Sequence, residues 1–459
     1  MPRRKLTPWP GAALGFAVAG ASLLAAADWP MLGGRPDRNM VSGETGLPLD
    51  WNDGAKGPKK NLKWSAPLGT VTYGTPVISG GRVFIGTDTD EAGGKSRQGV
   101  LKCFSERDGT LLWQAAHAKL ADGSEDDPSV GICCTPCVQG DRVYYISNRA
   151  ELVCRDVRDG KQIWLLDLRQ EFGVTPNQAS ASSPLVLGEL VYVVTGHGAH
   201  PRTGVVRNPT APSFLAVHRH TGRVAWHSNA PGAKIHSGQW GSPGGGVVAG
   251  RAQVAFPGGD GWLYAFVAET GELLWKFNCK AHEKPAASGK PETAFQLVAA
   301  PVYVDHRVLI AIGEPEASSG PGALRCLDAR QRGDVTATAE LWRLGGEEFN
   351  DSISSVAVYA GLVYAADTPG FLSCIELATG RRAWVHDLQA NIWGSPLVAD
   401  GRVYLQTGDG DVFVFQAGRE KKLLAKNSQL AEVTHGTPVA ANGVLYLTGQ
   451  KRLYALAVP

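Results

Sequence analysis

The sequence predicts an all-β protein, an eight-bladed β-propeller of four-stranded antiparallel blades. Short runs rich in β-branched and aromatic residues recur throughout, separated by glycine- and aspartate-containing turns. Residues 393–405 (Trp-Gly-Ser-Pro-Leu-Val-Ala-Asp-Gly-Arg-Val-Tyr-Leu) show one strand, a tight turn and a returning strand. The same pattern recurs at a spacing of roughly 40–60 residues, which is typical of propeller blades.

Eight copies of a Gly-[Ser/Thr]-Pro element, some of them degenerate, mark the start of each predicted blade. Each copy leads into a strand, a turn, a second strand and then a third strand. The copies are Gly74–Pro76, Cys134–Pro136, Ser182–Pro184, Gly241–Pro243, Ala299–Pro301, Ser354–Val356, Gly394–Pro396 and Gly436–Pro438.

A fourth strand carrying tryptophan closes most copies. Five copies end in Gly-x-x-x-Trp, at Trp113, Trp164, Trp226, Trp275 and Trp384, and Trp342 closes the fifth copy without that glycine. The last copy stops after its third strand at 453–455, whereas residues 62–64 form an orphan tryptophan strand before the first copy. Pairing of these two segments would complete the eighth blade and remove the open sheet edges. We interpret the tryptophans as packing between blades.

Four cysteines share a position in the third strand. Cys103, Cys154 and Cys374 each lie six residues before the closing glycine, and Cys326 is their counterpart in the fifth copy. Other copies have alanine there, so the position requires a small buried side chain, which a free cysteine supplies.

Charge and composition limit the possible partners and location. Lys and Arg number 45 against 43 Asp and Glu, without a basic stripe, so nucleic acid is not an expected partner. Residues 1–27 have the basic start, apolar run and small-residue cleavage site of a signal peptide, either an ordinary secretory signal or a twin-arginine signal. We therefore expect a periplasmic or secreted monomer without a membrane span or lipid anchor. Its parts would be an N-terminal extension (28–60) and one propeller domain (61–459).

All the long predicted links emerge on one face. The links between the second and third strands, and those between blades, leave a propeller on the same side, and the long ones include 88–99, 115–132, 196–213 and 276–296. Since loops on a rigid scaffold carry function, we expect this loop-rich face to bind the partner.

One residue per blade is expected to line the channel mouth on that face, three positions before each proline. These residues could clamp a flat ligand by stacking or could plug the channel. They are Tyr73, Cys133, Ala181, Trp240, Val298, Ile353, Trp393 and His435.

Some polar residues are further candidates for chemistry. Cys133 and Cys134 could form a vicinal disulfide or remain separate thiols. Gln239 and Asn391 are additional candidates at the mouth. A metal site built from the four histidines between 197 and 220 is a weaker possibility, and no metal is predicted.

Two further motifs are 256–264 (Phe-Pro-Gly-Gly-Asp-Gly-Trp-Leu-Tyr) and 352–356 (Ser-Ile-Ser-Ser-Val). With these motifs, the repeats over residues 51–458 resemble those of the PQQ-binding-like β-propeller repeat proteins. The chain is also similar to the quinoprotein alcohol dehydrogenases, which hold pyrroloquinoline quinone (PQQ) between a vicinal disulfide and a tryptophan. In that comparison Cys133–Cys134 match the disulfide, and Trp240 or Trp393 would take the place of the tryptophan.

Two functions follow from these resemblances. The dehydrogenase resemblance implies PQQ with Ca²⁺, although no motif here matches the calcium ligands and catalytic aspartate of those enzymes; Asn350 and Asp351 are the nearest polar residues. The chain also resembles the propeller subunit of the outer-membrane assembly machinery, a scaffold without a cofactor. We therefore expect a non-catalytic scaffold that binds a protein or small ligand, with a PQQ-dependent dehydrogenase as the alternative.

Overall fold

Eight antiparallel sheets form the blades of a single propeller. The computed structural model describes residues 27–55, 57–89, 98–120, 130–177, 179–201, 203–281, 297–313, 321–428 and 432–459. The predicted signal peptide, apart from Ala27, and parts of the predicted long links lie outside these residues. Each blade has strands A to D, and the A strands of several neighbouring blades contact one another, which places them innermost.

The strands are numbered in chain order. Blades 1 to 4 contain β2–β5 (Val77–Ser79, Arg82–Asp88, Gly99–Ser105, Leu111–His117), β6–β9 (Cys137–Gln139, Arg142–Ile146, Glu151–Asp156, Gln162–Asp167), β10–β13 (Leu185–Leu187, Leu190–Val194, Phe214–His218, Val224–Ser228) and β14–β17 (Gly244–Val248, Arg251–Pro257, Trp262–Val267, Leu273–Asn278). Blades 5 to 7 contain β18, β19, β20 and β22 (Val302–Val304, Arg307–Ile312, Pro321–Asp328, Glu340–Asn350), β23–β26 (Ala357–Tyr359, Leu362–Ala366, Phe371–Glu376, Arg382–Asp387) and β27–β30 (Leu397–Ala399, Arg402–Gln406, Val412–Gln416, Leu423–Asn427). Blade 8 contains β31–β33 (Val439–Ala441, Val444–Thr448, Arg452–Leu456) and β1 (Leu62–Pro67).

Three short elements supplement the blades. Strand β21 (Gly333–Asp334) adds a fifth, parallel strand to blade 4 beside β17. Helix α1 (Leu168–Phe172) follows β9 and is capped by the Asp167 carboxylate, and a 3₁₀ turn spans Gly232–Lys234. Strand β21 comes from the C–D link of blade 5, whereas helix α1 and the 3₁₀ turn lie in links between blades, and none of the three changes the repeat.

The predicted closure of the ring is confirmed. Strand β1 pairs antiparallel with β33, with Trp64 opposite Ala455 and Ala66 opposite Leu453. The outer strand of blade 8 therefore comes from the N-terminal side of the chain and its inner three strands come from the C-terminal end. This arrangement pairs two strand edges that would otherwise be open.

The blade-closing tryptophans pack between blades, as predicted. The Trp113 indole N–H donates to the Val157 carbonyl of the next blade at 3.1 Å, and its ring lies against Gly160. Gly160 has φ +72°, and a Cβ there would lie 2.6 Å from the ring, so the position requires glycine. The same indole-to-carbonyl bond joins five further blade pairs, through Trp64, Trp164, Trp226, Trp342 and Trp384.

The small residues of the third strand lie directly opposite those tryptophans. Cys103 pairs with Trp113, Cys154 with Trp164, and Cys326 with Trp342, all across the C–D strand pair. These cysteines are fully buried and free. The prediction that Cys326 is the fifth-blade counterpart is thus confirmed.

The Ser/Thr of the repeated element links one blade to the next. The hydroxyl group in each of these links accepts a hydrogen bond from the backbone N–H of the equivalent residue in the preceding blade, at 2.9–3.1 Å. The links run Thr75 to Thr135, Thr135 to Ser183, Ser183 to Ser242, Ala300 to Ser355, Ser355 to Ser395 and Ser395 to Thr437. A valine of similar shape could not accept these bonds, which accounts for the repeated hydroxyl residue.

Candidate functional site

The N-terminal segment (residues 29–47) crosses one end of the channel and contacts every blade. It bonds mainly to the edges of the A strands that are not paired with B strands, and its contacts reach all of blades 1 to 8. In blade 1, Trp29 and Ile78 exchange two backbone hydrogen bonds at 2.9 and 3.0 Å. The other contacts are Pro30 with Val138, Arg38 with Ser183, Pro36 with Gly245, Asp37 with Tyr303, Asn39 with Val358, Met40 with Val398, and Ser42 with Ala440.

Arg38 is the most buried charged group of this segment. Its side chain is fully buried and donates to four carbonyl oxygens at 2.8–3.1 Å, those of Pro243, Leu32, Ser183 and Pro184. Burial lowers the pKa of Arg38 to about 10, so the group is charged at neutral pH. No sequence pattern indicates this role, since residues 28–60 carry no repeat.

This end of the channel is the one that carries the A–B turns. The Asp28 carboxylate accepts from the Gly80 N–H at 3.0 Å, and the Glu44 carboxylate accepts from the Gly443 N–H at 2.6 Å. Both glycines belong to A–B turns, which are two residues long. The chain itself therefore covers this end, and the opposite end, where the A strands begin, is the predicted channel mouth.

The eight predicted mouth residues share one pattern of exposure. Each is partly exposed and lies between two buried neighbours along the chain, as His435 does between Thr434 and Gly436. The spacing from the proline thus identifies equivalent positions at the start of all eight A strands.

Three of these residues form an aromatic cluster, defined here as Tyr73, Trp393 and His435. The Tyr73 and His435 rings stack with centroids 4.8 Å apart and planes 6° apart. The Trp393 ring lies 4.7 Å from His435 and 6.3 Å from Tyr73. The three residues come from blades 7, 8 and 1, which are consecutive around the ring, so the cluster covers one side of the mouth.

His435 is neutral at physiological pH in this environment. Burial lowers the pKa of His435 to about 4. Within the described part of the chain its Nδ1 is buried and has no hydrogen-bond partner. The cluster is therefore an uncharged, mainly aromatic surface.

Cys133 and Cys134 are separate thiols and are not joined in a disulfide, which is the second of the two alternatives drawn from the sequence. The Cys134 Sγ atom lies inside blade 2, where it donates to the Ile146 carbonyl at 3.3 Å and accepts from the Ile146 N–H at 3.4 Å. Burial raises the pKa of Cys134 to about 12, which keeps the thiol protonated and unreactive. Cys133 is partly exposed.

Trp240 and Gln239 have structural contacts at the mouth. The Trp240 indole N–H donates to the Asn177 carbonyl at 3.0 Å. Gln239 is buried; its side-chain amide donates to the His197 carbonyl at 2.7 Å and accepts from the Gly259 N–H at 3.1 Å. Gln239 thus joins links of blades 3 and 4, and its amide is engaged on both sides.

Asn391 is exposed beside the mouth, and its backbone carbonyl accepts from the Gly408 N–H at 2.6 Å. Asn350 donates from its side-chain amide to the Asp367 carboxylate at 2.8 Å. Asp351 is buried at the start of blade 6. Asn350 and Asp367 therefore hold a link of blade 6 in place.

The four histidines between 197 and 220, considered above as a weaker possibility for a metal site, do not converge. His197 is fully buried, where its Nδ1 accepts from the Thr175 N–H at 3.0 Å and its Nε2 bonds to the Asn208 carbonyl. His220 lies on a C–D turn at the other end of the blade, 3.4 Å from Glu189. Among the described residues there is no group of three or more His, Cys, Asp or Glu side chains that could hold a metal ion.

The residues at the mouth do not fit the quinone site that the dehydrogenase resemblance implied. A vicinal disulfide would need the Cys134 sulfur to face the channel, whereas it is bonded to Ile146 within blade 2. The cluster rings are packed against one another on one side of the mouth rather than spaced to hold a flat ligand.

Fold and mouth together define an eight-bladed propeller of the PQQ-like type. The chain belongs to the PQQ_2 family, described as outer membrane protein assembly factor BamB, whose model matches residues 97–338 and 321–458. It is 25% identical to the outer membrane protein assembly factor BamB of Yersinia pestis over 313 residues, which is 68% of this chain and 70% of that protein.

Solved structures support the same fold at lower identity. BamB from Moraxella catarrhalis superposes with a TM-score of 0.55 at 15% identity, covering 86% of this chain and 96% of that one. A europium-containing methanol dehydrogenase superposes with a TM-score of 0.51 at 14% identity, covering 94% and 98%. In the described part of the chain, every helix is too short or too polar to cross a membrane.

Proposed function

We propose that this protein is an extracytoplasmic scaffold that binds a protein partner through the loop-rich face around the channel mouth. The observation that carries the proposal is the N-terminal segment, which contacts all eight blades at the end with the A–B turns. Since that end is covered by the chain itself, the mouth is the end left for a partner.

Exposed apolar side chains at the mouth end support this proposal. Val433, two residues before His435, is 49% exposed, and Val205 on a link of blade 3 is 57% exposed. Apolar side chains rimmed by polar loops are typical of protein-binding surfaces. With the aromatic cluster they provide the anchors that such surfaces use.

Family membership supports both the partner class and the location. Relatives named as outer membrane protein assembly factors act with other proteins, and the predicted signal peptide (residues 1–27) would deliver this chain to the same side of the inner membrane. The positions of the thiols and rings described above do not form a quinone site, and this favours the scaffold over the quinone-dependent dehydrogenase.

Site-specific cross-linking in the producing cells tests the choice of face. A photoreactive benzoylphenylalanine would replace Asn391 or Val433 at the mouth, and Tyr359 or Val247 near the A–B turns as controls; all four positions are exposed. We expect protein adducts from the two mouth positions only. Adducts confined to the control positions would refute the proposed face.

A further inference from the structure

A cavity of about 380 Å³ opens at the mouth end beside blade 4. Residues of four links line it: the B–C links of blades 3 and 4, the link into blade 4, and the described start of the link out of blade 4. Its principal lining residues are Lys234, Ile235, His236, Asp260, Trp262 and Lys280.

Lys280 places a cation in this cavity. Its aliphatic stem lies over Gly261, where an added Cβ would come within 2.8 Å of the lysine Cδ. Its Nζ lies 3.3 Å from the His236 Nε2. Because an ammonium group only donates, His236 accepts this bond in its neutral form, and the lysine carries the charge.

Asp260 closes the cavity from below. It is only 3% exposed, and its carboxylate accepts from the Tyr264 hydroxyl at 2.7 Å and from the Trp262 N–H at 3.2 Å. Burial raises the pKa of Asp260, and nearby Lys280 opposes that shift. Among the described lining residues Asp260 is the one carboxylate, so two lysines leave the cavity with a net positive charge.

Trp262 supplies an apolar wall. The Lys276 Nζ lies 4.7 Å from the centroid of its ring, a cation–π contact that restrains the indole. Ile235, almost fully buried, adds a second apolar surface. A ligand with an anionic end and a short apolar stem would match both parts of the cavity.

We infer that this cavity receives a carboxylate side chain from an acidic segment of a protein partner. The carboxylate would accept hydrogen bonds from the Lys280 ammonium, and its methylene groups would lie against the Trp262 ring. The inference rests on the proposed function, because the cavity lies on the proposed binding face. It specifies the chemistry by which the partner is recognised.

Fluorescence anisotropy with a defined peptide tests the inference. The probe is a fluorescein-labelled Ser-Glu-Phe-Glu-Ser peptide titrated with the mature protein at low salt, and the comparison peptide has Gln in place of both Glu. We expect at least tenfold weaker binding of the Gln peptide, and the same loss for the Glu peptide with Lys280→Gln. Lys280→Arg should retain binding, because it keeps the positive charge and the donors.

The matched control is Lys161→Gln, an exposed lysine on a C–D turn at the other end of the propeller. It should bind the Glu peptide as the unmodified protein does, and chemical unfolding of each variant would verify that it folds. Equal binding by Lys280→Gln, or equal binding of the two peptides, would overturn the inference. Binding to vesicles of anionic phospholipid that Lys280→Gln abolishes, without binding of the Glu peptide, would overturn it in favour of a lipid headgroup.

The two proposals fail separately. If the mouth positions cross-link to a partner but the Glu peptide does not bind, the cavity inference alone is wrong. If the peptide binds in a Lys280-dependent way but cross-links come only from the end with the A–B turns, the proposed binding face is wrong and the carboxylate site remains.

Discussion

Replacing Arg38 with methionine should destabilise the propeller strongly, although the residue lies outside every blade. Methionine keeps a long side chain but removes the donors that bond to four carbonyl oxygens, of which three are buried and the Leu32 carbonyl is partly buried. A buried carbonyl without a donor costs about 1–3 kcal/mol. Before any compensation, the free energy of unfolding should therefore fall by roughly 4–8 kcal/mol, if the neighbouring groups relax in part to satisfy the carbonyl oxygens.

Part of this loss is regained because methionine removes a buried charge. The pKa of Arg38 is lowered by burial to about 10, from an ordinary value of 12.5. At about 1.4 kcal/mol per pKa unit, the burial of the charge costs roughly 3 kcal/mol. The expected net decrease in the free energy of unfolding is therefore about 3 kcal/mol.

Guanidinium-induced unfolding followed by tryptophan fluorescence would measure this decrease, with limited proteolysis to report release of the N-terminal segment. Arg35→Met is the matched control, because Arg35 lies in the same segment with its side chain 59% exposed and ion-paired to the partly exposed Asp37. Solvent-exposed ion pairs contribute about 0–1 kcal/mol to the free energy of unfolding, so this control variant should be nearly as stable as the unmodified protein. If the two variants unfold at the same denaturant concentration, the reasoning about buried carbonyl partners is wrong.

Three other outcomes follow from the packing between and within blades. Gly160→Ala should lower the free energy of unfolding by about 2 kcal/mol or more, because both the positive φ and the Trp113 ring oppose a Cβ. In the same unfolding assay the control Gly140→Ala should cost about 1 kcal/mol, because Gly140 has a positive φ but open space around it. Thr135→Val should cost about 1–3 kcal/mol, because the neighbouring blade's backbone N–H loses its acceptor; no change would contradict the role of the hydroxyl groups. Burial favours a higher pKa for Glu151, but hydrogen bonds from histidine, arginine and serine outweigh it and hold the pKa at about 2. Because the pKa of Glu151 is lower in the folded state than in the unfolded state, the ionised carboxylate stabilises the fold above about pH 4.5, and this stabilisation is lost as the pH falls towards 2. Glu151→Gln should therefore flatten the dependence of the unfolding free energy on pH between about 4.5 and 2.

The pattern of the sequence was sufficient to predict the blades and their closure. The eight Gly-[Ser/Thr]-Pro copies set the number of blades, and the orphan strand at Trp64 together with the truncated last copy predicted the pairing of chain ends. These features are local and periodic, so they can be read without knowing which residues meet in space. The half-exposed residues of the mouth, such as Trp393, follow from the same period.

Other features depend on contacts between residues far apart in the chain. The Arg38 guanidinium reaches carbonyls 145 to 205 residues away, and no local pattern marks it as buried. The direction of the Cys134 sulfur likewise depends on where its strand turns inward against Ile146. The quinone alternative came from a resemblance that matched Cys133–Cys134 to a disulfide and Trp240 or Trp393 to a tryptophan, and only the tertiary structure showed that the Cys134 sulfur faces the interior of its blade.

The sequence by itself determined the repeat, the number of blades and the positions around the mouth, because hydrophobic alternation and turn chemistry act over a few residues. Only the tertiary structure decided which end of the channel the N-terminal segment covers. That outcome depends on the aperiodic segment 29–47, whose backbone groups find partners only after the eight inner strands have formed a ring.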